Sequence, residues 1–565
     1  MLPLESKTHN PLVPGSNPGG PSLRFGAQRK RRLPRGSKFR IADCGLRIWD
    51  GGVIRGIVNI IEIAVLSALI LATRCANYQD VFVAGNIYFT DADCYARMMR
   101  VRMCEEHPGL IVRHHDFENF PEGTTPHTTA PLDYLIFALA VALKPFTAHA
   151  IDLAGALISP LFALFGGWFL WWWSQRMNLR YRWTMLVLYA ISPVLVHGTK
   201  LGRPDHQSLV MLLVTVALCS EWTLRFEQSR KWSIVNGMAW GVALWVSLYE
   251  PVVLLAVVAG CAALKDREFF RAQHRRIGWI LFIVILAVGF LIERRLPQAG
   301  LLYSQTFTKW SRTIAELVSV SPLHPIWLQW AGWLLIPAPV LIWFAFRRKT
   351  LPVFISVLLV TTYALTIWEG RWAYFFVSVF ALSLPGLLEP LKSRILVLAI
   401  FIVSLFPILR QWDDQIWPND LDYARRIQQR NESVRLHELA LNLQSSEWRP
   451  FLAQWWLSPA IAYWSGQPGV AGSSHESLPG IEDSARFFVS EDWETARKIL
   501  ENHKVAWVIV YDSERAAQNS AQILGLPTPQ HLVCLVLDRT AARAPRFLVL
   551  SAQNGIMKLY RVVKR

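Results

Sequence analysis

The sequence predicts a polytopic α-helical membrane protein of about 11–13 spans, ending in a soluble extracytoplasmic domain of mixed α/β type. Three observations predict it. The 565 residues are 53% hydrophobic and only 18% charged. The apolar residues gather into blocks of roughly 15 to 25, long enough for a helix to satisfy its own backbone hydrogen bonds in hydrocarbon. After residue 408 the composition changes, opening on Trp412, Asp413, Asp414, Trp417, Asp420 and Asp422.

The chain opens with a basic segment that includes Arg29, Lys30, Arg31, Arg32, Arg35, Lys38 and Arg40. No short apolar run with a cleavage site follows, so residues 1–50 read as a retained cytoplasmic tail, largely disordered. The net charge of +17 sits mostly there and in short loops, a placement that fits topology and anionic headgroups rather than a nucleic acid. Seven cysteines are too few and too scattered for a disulfide framework.

The apolar blocks cover 53–74, 131–147, 152–173, 183–198, 207–221, 233–248, 251–264, 277–292, 326–345, 350–367, 372–388 and 393–408. Basic loops around Arg180, Arg230, Arg271, Arg348 and Lys392 separate alternate blocks and belong on the cytoplasmic side. With the N-terminus also inside, one early block must fail to cross. The block 131–147, with Asp133 near its start and Lys144-Pro145 near its end, reads as an interfacial or re-entrant helix. About eleven spans remain. A membrane domain, 51–408, then presents outer loops at 76–130, 199–206 and 293–325, a turn at Glu369, Gly370 and Arg371, and the domain 409–565. That domain reads as a polar helix at 423–443, a helix at 492–502, and β-like runs at 505–511, 531–537 and 547–550.

The outer loops hold the acids. Asp91-Ala92-Asp93 pairs two carboxylates that suit a hard divalent cation, or else cap a helix. His114-His115-Asp116 precedes a Pro121-Glu122-Gly123 turn. In Gly202-Arg203-Pro204-Asp205-His206 a carboxylate between apolar helices needs a metal or a partner such as Lys200 or Arg203. Glu316 closes Thr313-Ile314-Ala315-Glu316 within a long loop. Arg371 lies between Trp368 and Trp372, placed either to grip phosphoryl oxygens with its fork or to anchor at the interface.

In this order the motifs resemble the GT-C superfamily of membrane glycosyltransferases, and within it the catalytic subunit of oligosaccharyltransferase of bacterial and archaeal type. Asp93 followed by Tyr95 is similar to the metal-binding acid of the family's first outer loop. His115 to Pro121, Gly123, Pro131 and Leu132 is similar to its loop segment. Gly202-x-x-Asp205-His206 looks like Gly-x-x-Asp-His-His, with Gln207 in place of the second histidine, and 313–316 looks like Thr-Ile-x-Glu. Trp455-Trp456-Leu457 stands where the family has Trp-Trp-Asp-Tyr-Gly. Leu457 cannot accept the hydroxyl hydrogen bond of an Asn-x-Ser/Thr acceptor.

The resemblance implies an inverting, metal-dependent transfer of a sugar or glycan from a polyprenyl (di)phosphate donor to a protein, at the outer face of the plasma membrane. It implies Asp93, Asp205 and Glu316 as catalytic residues and ligands of one Mg²⁺ or Mn²⁺, and Arg371 on the donor phosphate. Asp91, Arg203, His206 and His115 become accessory residues, and Trp455 and Trp456 the acceptor region. The expected partners are the lipid-linked donor, membrane lipids and an acceptor protein or lipid, with the chain able to act as a single subunit. The alternative is a GT-C transferase acting on a lipid, polymer or protein hydroxyl. A lipid-linked saccharide transporter fits less well, because the acids collect at one surface rather than mid-membrane.

Overall fold

The computed structural model describes residues 51–265, 272–295, 304–527 and 532–563, and the described residues from 57 onward belong to one compact unit. The basic tail 1–50, Arg271 and part of the outer loop 293–325 lie outside the described residues.

The apolar blocks are helical. Helices Gly51–Arg74, Ala150–Arg176, His206–Leu224, Arg230–Val246, Gln273–Glu293, Val353–Trp368 and Ala373–Leu388 account for seven of them. Two blocks break where the backbone must. The block 183–198 divides into Arg182–Ile191 and Pro193–His197, since a proline contributes no N–H to a helix. The block 326–345 divides at Gly332, whose φ of +77° leaves helical space. Among the described residues, five helices are long and apolar enough to cross a membrane, and the pair Arg394–Ser404 and Phe406–Ile416, bent by 43°, makes a sixth if taken together. That pair runs past the boundary expected at 408. Helix Ala130–Leu143 has 14 residues and rises only about 21 Å, short of a hydrocarbon core of about 30 Å.

Burial separates centre from rim. Windows of Gly370–Leu388 and His206–Leu224 are 89% and 83% buried, whereas those of Gly56–Arg74 and Gln273–Glu293 are 11% and 17% buried. Apolar helices with such open faces suit hydrocarbon and not water. Helices Arg230–Val246 and Gln273–Glu293 meet backbone to backbone: a Cβ on Gly237 would lie 2.0 Å from the Gly278 carbonyl oxygen. Small residues at such a crossing are the usual basis of close helix contact in lipid.

A two-stranded hairpin, β1 (Phe82–Val83) with β2 (Asn86–Ile87), precedes helix Ala92–Glu106. The C-terminal part holds a four-stranded sheet of β3 (Phe451–Leu452), β4 (Trp507–Val510), β5 (Leu548–Asn554) and β6 (Met557–Val562) in the order β3-β4-β6-β5. The β3-β4 pair is parallel and the others antiparallel, so the sheet is mixed. Helices Asp420–Leu441, Leu478–Phe488, Trp493–Asn502 and Ser513–Leu524 surround it. One expectation is corrected: the run 531–537 is not a strand, since Val533–Arg539 is a helix that buries Val533, Cys534 and Leu537. Residues one and five of that helix face the core together, the helical period and not the alternating one.

Candidate active site

The segment 76–130 and the C-terminal part meet at a cleft held by backbone hydrogen bonds. Phe120 N–H donates to the Gly469 carbonyl at 3.1 Å, Gly469 N–H to the Phe117 carbonyl at 3.0 Å, and Gly480 N–H to the Asn119 side chain at 2.8 Å. Arg102 of helix Ala92–Glu106 stacks its guanidinium 3.4 Å from the centre of the Tyr463 ring, and Tyr95 packs edge-on to Trp464. These contacts fix the segment that carries Asp91 and Asp93.

Asp91 is the cap of helix Ala92–Glu106: its carboxylate accepts from Cys94 N–H at 3.0 Å. That leaves Asp93 in the first turn, reachable by solvent at the cleft. The cleft walls remove much of its bulk water, and this desolvation, followed by the charges of Asp91 and Asp205, pushes its carboxyl up to about 7. Asp205 opens helix His206–Leu224. Gly202 before it has a φ of +74°, and its carbonyl accepts Thr90 N–H at 2.9 Å, joining this loop to the Asp91 loop. Glu316 lies on the short turn Ala315–Leu317.

Asp91, Asp205 and Glu316 converge on one group, the guanidinium of Arg203. Its side chain is 6% exposed, and it lies 2.6 Å from Glu316 Oε1, 3.4 Å from Asp205 Oδ2 and 3.6 Å from Asp91 Oδ2. Tyr374 also donates to Glu316 Oε1 at 2.9 Å, and His206 Nδ1 lies 2.7 Å from Asp205 Oδ1. Against the cost of burial, His206 and Arg203 hold Asp205 well below the usual carboxylate range, and Arg203 likewise lowers Glu316. Glu316 Oε1 and Asp205 Oδ2 thus face the N–H donors of Arg203, and Glu316 Oε1 also accepts from the Tyr374 hydroxyl. This donor set does not fit an ion.

A second set does. His127, His475 and Glu476 offer ligand atoms that all lie within 4.8 Å of one another, two imidazoles and a carboxylate. His127 Nδ1 is 2.9 Å from Glu476 Oε1, joining the first outer loop to the C-terminal part. Burial opposes ionisation of Glu476, but His127 and His475 hold its carboxyl down to about 2. Burial keeps His475 neutral, down to about 4. The rings of His127 and His206 are 6.2 Å apart, so this cluster adjoins Asp205. Sequence reading missed all three residues; the only local signal was a His-Glu pair within the Gly/Ser-rich stretch 472–477. His115 lies elsewhere, buried and stacked on Phe117 at 3.7 Å, with burial holding it neutral. Nearby Glu118 accepts Ser473 N–H, and burial raises its carboxyl to about 7.

A groove of about 500 Å³ is lined by Glu316, by the apolar Pro193, Val196 and Trp330, and by the cations Lys200 and Arg371. Arg371 is paired with buried Glu250 at 2.8 Å, and Gln207, the residue in place of a second histidine, reaches the same carboxylate at 3.5 Å. Trp455 packs edge-on to Trp310 at 5.6 Å and donates to Asn519, while Arg515 stacks over Trp456. Trp310 belongs to helix Gln305–Ser311, six residues before Glu316. Trp455 therefore packs against the loop that carries Glu316.

No protein-family model and no curated protein sequence matches the chain. Solved structures do. The oligosaccharyltransferase of Archaeoglobus fulgidus, tethered to an acceptor peptide with the NVT sequon, superposes with a TM-score of 0.61 at 12% identity, over 84% of this chain and 72% of that one. The chain has the GT-C glycosyltransferase fold. The same A. fulgidus protein in complex with Zn and sulfate matches at a TM-score of 0.55 and 14% identity, over 79% and 67% of the two chains. ArnT from Cupriavidus metallidurans bound to undecaprenyl phosphate matches at 0.52 and 13%, over 90% and 98%. The GT-C fold thus extends over both the helical part and the C-terminal part.

Proposed function

We propose that this chain is a membrane glycosyltransferase, which moves a sugar or glycan from a polyprenyl (di)phosphate to a protein acceptor at the outer face of the plasma membrane. The observation that carries this reading is the groove: its apolar lining suits a lipid tail, its cations Lys200 and Arg371 suit a phosphate, and it is lined also by Glu316, whose loop packs on Trp455. Its support outside the chain is the shared fold with proteins solved on a sequon peptide and on undecaprenyl phosphate.

In this reading the acceptor nucleophile attacks the anomeric carbon from the side opposite the phosphate, the bond to the phosphate oxygen breaks, and the configuration inverts. Asp93, open to the cleft, takes the acceptor proton as base. Asp205 and Glu316 shape the field at the reacting carbon, and Arg371, held by Glu250, binds the departing phosphate. His127, His475 and Glu476 would hold a divalent ion, which when bound supplies further positive charge beside the reaction. A set with two imidazoles favours Mn²⁺ or Zn²⁺ over Mg²⁺. We place the catalytic membrane domain at 51–408 with about eleven spans, the tail 1–50 in the cytoplasm and the domain 409–565 outside.

The test is incubation of purified protein with a labelled lipid-linked glycan and peptides bearing Asn-x-Thr or isolated serines. Label on the asparagine peptide supports the reading. A second reading, transfer to a lipid, polymer or protein hydroxyl, is favoured by Leu457 in the place of an aspartate, and label confined to those acceptors would establish it instead.

A further inference from the structure

Three carboxylates from loops far apart in sequence do not close on one point without a cation to hold them. Here Asp91, Asp205 and Glu316 do close, and Arg203 is the group between them, with its side chain 6% exposed. Its Nη1 lies 3.6 Å from Asp91 and faces the His197 ring at 3.2–3.3 Å; its Nη2 reaches both Asp205 and Glu316. A divalent ion needs those oxygens at about 2.0–2.6 Å with their lone pairs free. A guanidinium and an ion cannot hold the same lone pairs together. The fork also differs from an ion in being covalently fixed: Pro204 follows Arg203, and the Arg203 carbonyl accepts the Ser159 hydroxyl from the neighbouring helix.

We propose that Arg203 occupies the place of a divalent ion among Asp91, Asp205 and Glu316, so that this acidic centre is neutralised by the chain itself and binds no metal. Arg203 is then a positioning residue: it sets the orientation of Asp205 and Glu316 and leaves Asp93 as the acid of the cleft without an ion pair. Any ion the protein takes binds at His127, His475 and Glu476. The assignment of roles rests on the glycosyl-transfer reading, whereas the binding claim does not.

The experiment uses the purified full-length protein and Mn²⁺ alone, titrated and followed by electron paramagnetic resonance. A parent carrying His127→Ala and Glu476→Gln is expected to bind no tight Mn²⁺. Adding Arg203→Ser should create one site, at least about tenfold tighter than residual binding, and adding Asp205→Asn to that variant should remove it. The proposal is overturned if the parent still binds one Mn²⁺ that Glu316→Gln abolishes, or if a folded Arg203→Ser protein gains none. Should Arg203→Ser fail to fold, the comparison of the parent with its Glu316→Gln derivative decides alone. Failure to detect transfer to any acceptor would remove the functional reading, while the Mn²⁺ titration would still decide the site.

Discussion

Asp93 and Asp91 sit two residues apart and have different jobs. Asp91 spends one oxygen on the Cys94 N–H as a helix cap, whereas Asp93 is raised to about 7 by desolvation and then by Asp91 itself. A base must be ionised to accept a proton, so transfer should rise with pH at unit slope and level off near 7. Asp91→Asn keeps a good cap and removes a negative neighbour. The midpoint of the pH–rate profile should therefore move down in that variant; an unmoved midpoint would detach the profile from Asp93. Glu118 gives a stability effect of defined sign. Its folded carboxyl is raised to about 7 by burial, above an unfolded value of about 4.3. The native state thus holds the extra proton between about pH 4 and 7, and stability falls as pH rises through that window. Glu118→Gln should raise the melting temperature at pH 8, by an effect on the order of 3–4 kcal/mol, and flatten the pH dependence. A variant less stable than wild type at pH 8 would mean that Glu118 is ionised and paired.

At the scale of elements, helix Gln305–Ser311 is the link between the Glu316 loop and the C-terminal part. Trp310 is buried among Ala471, Leu478, Ile481 and Ile523 and meets Trp455 edge-on. Trp310→Ala should cost about 3–5 kcal/mol locally, free the loop to proteolysis between 304 and 325, and lower turnover while the sheet stays folded. Unchanged proteolysis would show that the loop is held by other means. Legibility in the sequence divides along the same lines. An apolar run of roughly 20 residues has one solution in lipid, a helix, which is why the blocks are helical. The run at 531–537 is too short for periodicity to choose between strand and helix, and burial of Val533, Cys534 and Leu537 against the sheet made the choice. Asp93, Asp205 and Glu316 were visible as motifs. The His127–Glu476 contact, 349 residues apart in sequence, has no local signature, and the pairing of Arg203 with Glu316 is set by packing that no spacing reveals.

For the whole molecule the deciding property is sidedness. The loop around Glu118 is hydrogen-bonded to Ser473, the Glu316 loop packs through Trp310 onto Trp455, and Arg430 of helix Asp420–Leu441 pairs with Asp80 at 2.6 Å. These contacts tie the segment 76–130, the loop that carries Glu316 and the C-terminal part to one another, so in a membrane-spanning chain all three lie on the same side of the bilayer. The least buried apolar helices, Gly56–Arg74 and Gln273–Glu293, lie at the rim where lipid replaces protein. The basic loops at Arg180, Arg230 and Arg348 should then face the opposite compartment, where the positive-inside preference places them. Single cysteines introduced at Glu122, His324 and Glu514, all exposed, in a background without the native cysteines, should react with an impermeant maleimide on intact cells. Cysteines at Arg180, Arg230 and Arg348, also exposed, should react only after permeabilisation. Labelling of Glu122 and His324 from opposite sides would separate the loops that bring Asp93 and Glu316 to one cleft, and no active site could be assembled from them. Labelling of all three from the cytoplasm would keep the site but turn the enzyme over, so that it would draw on donors at the inner face.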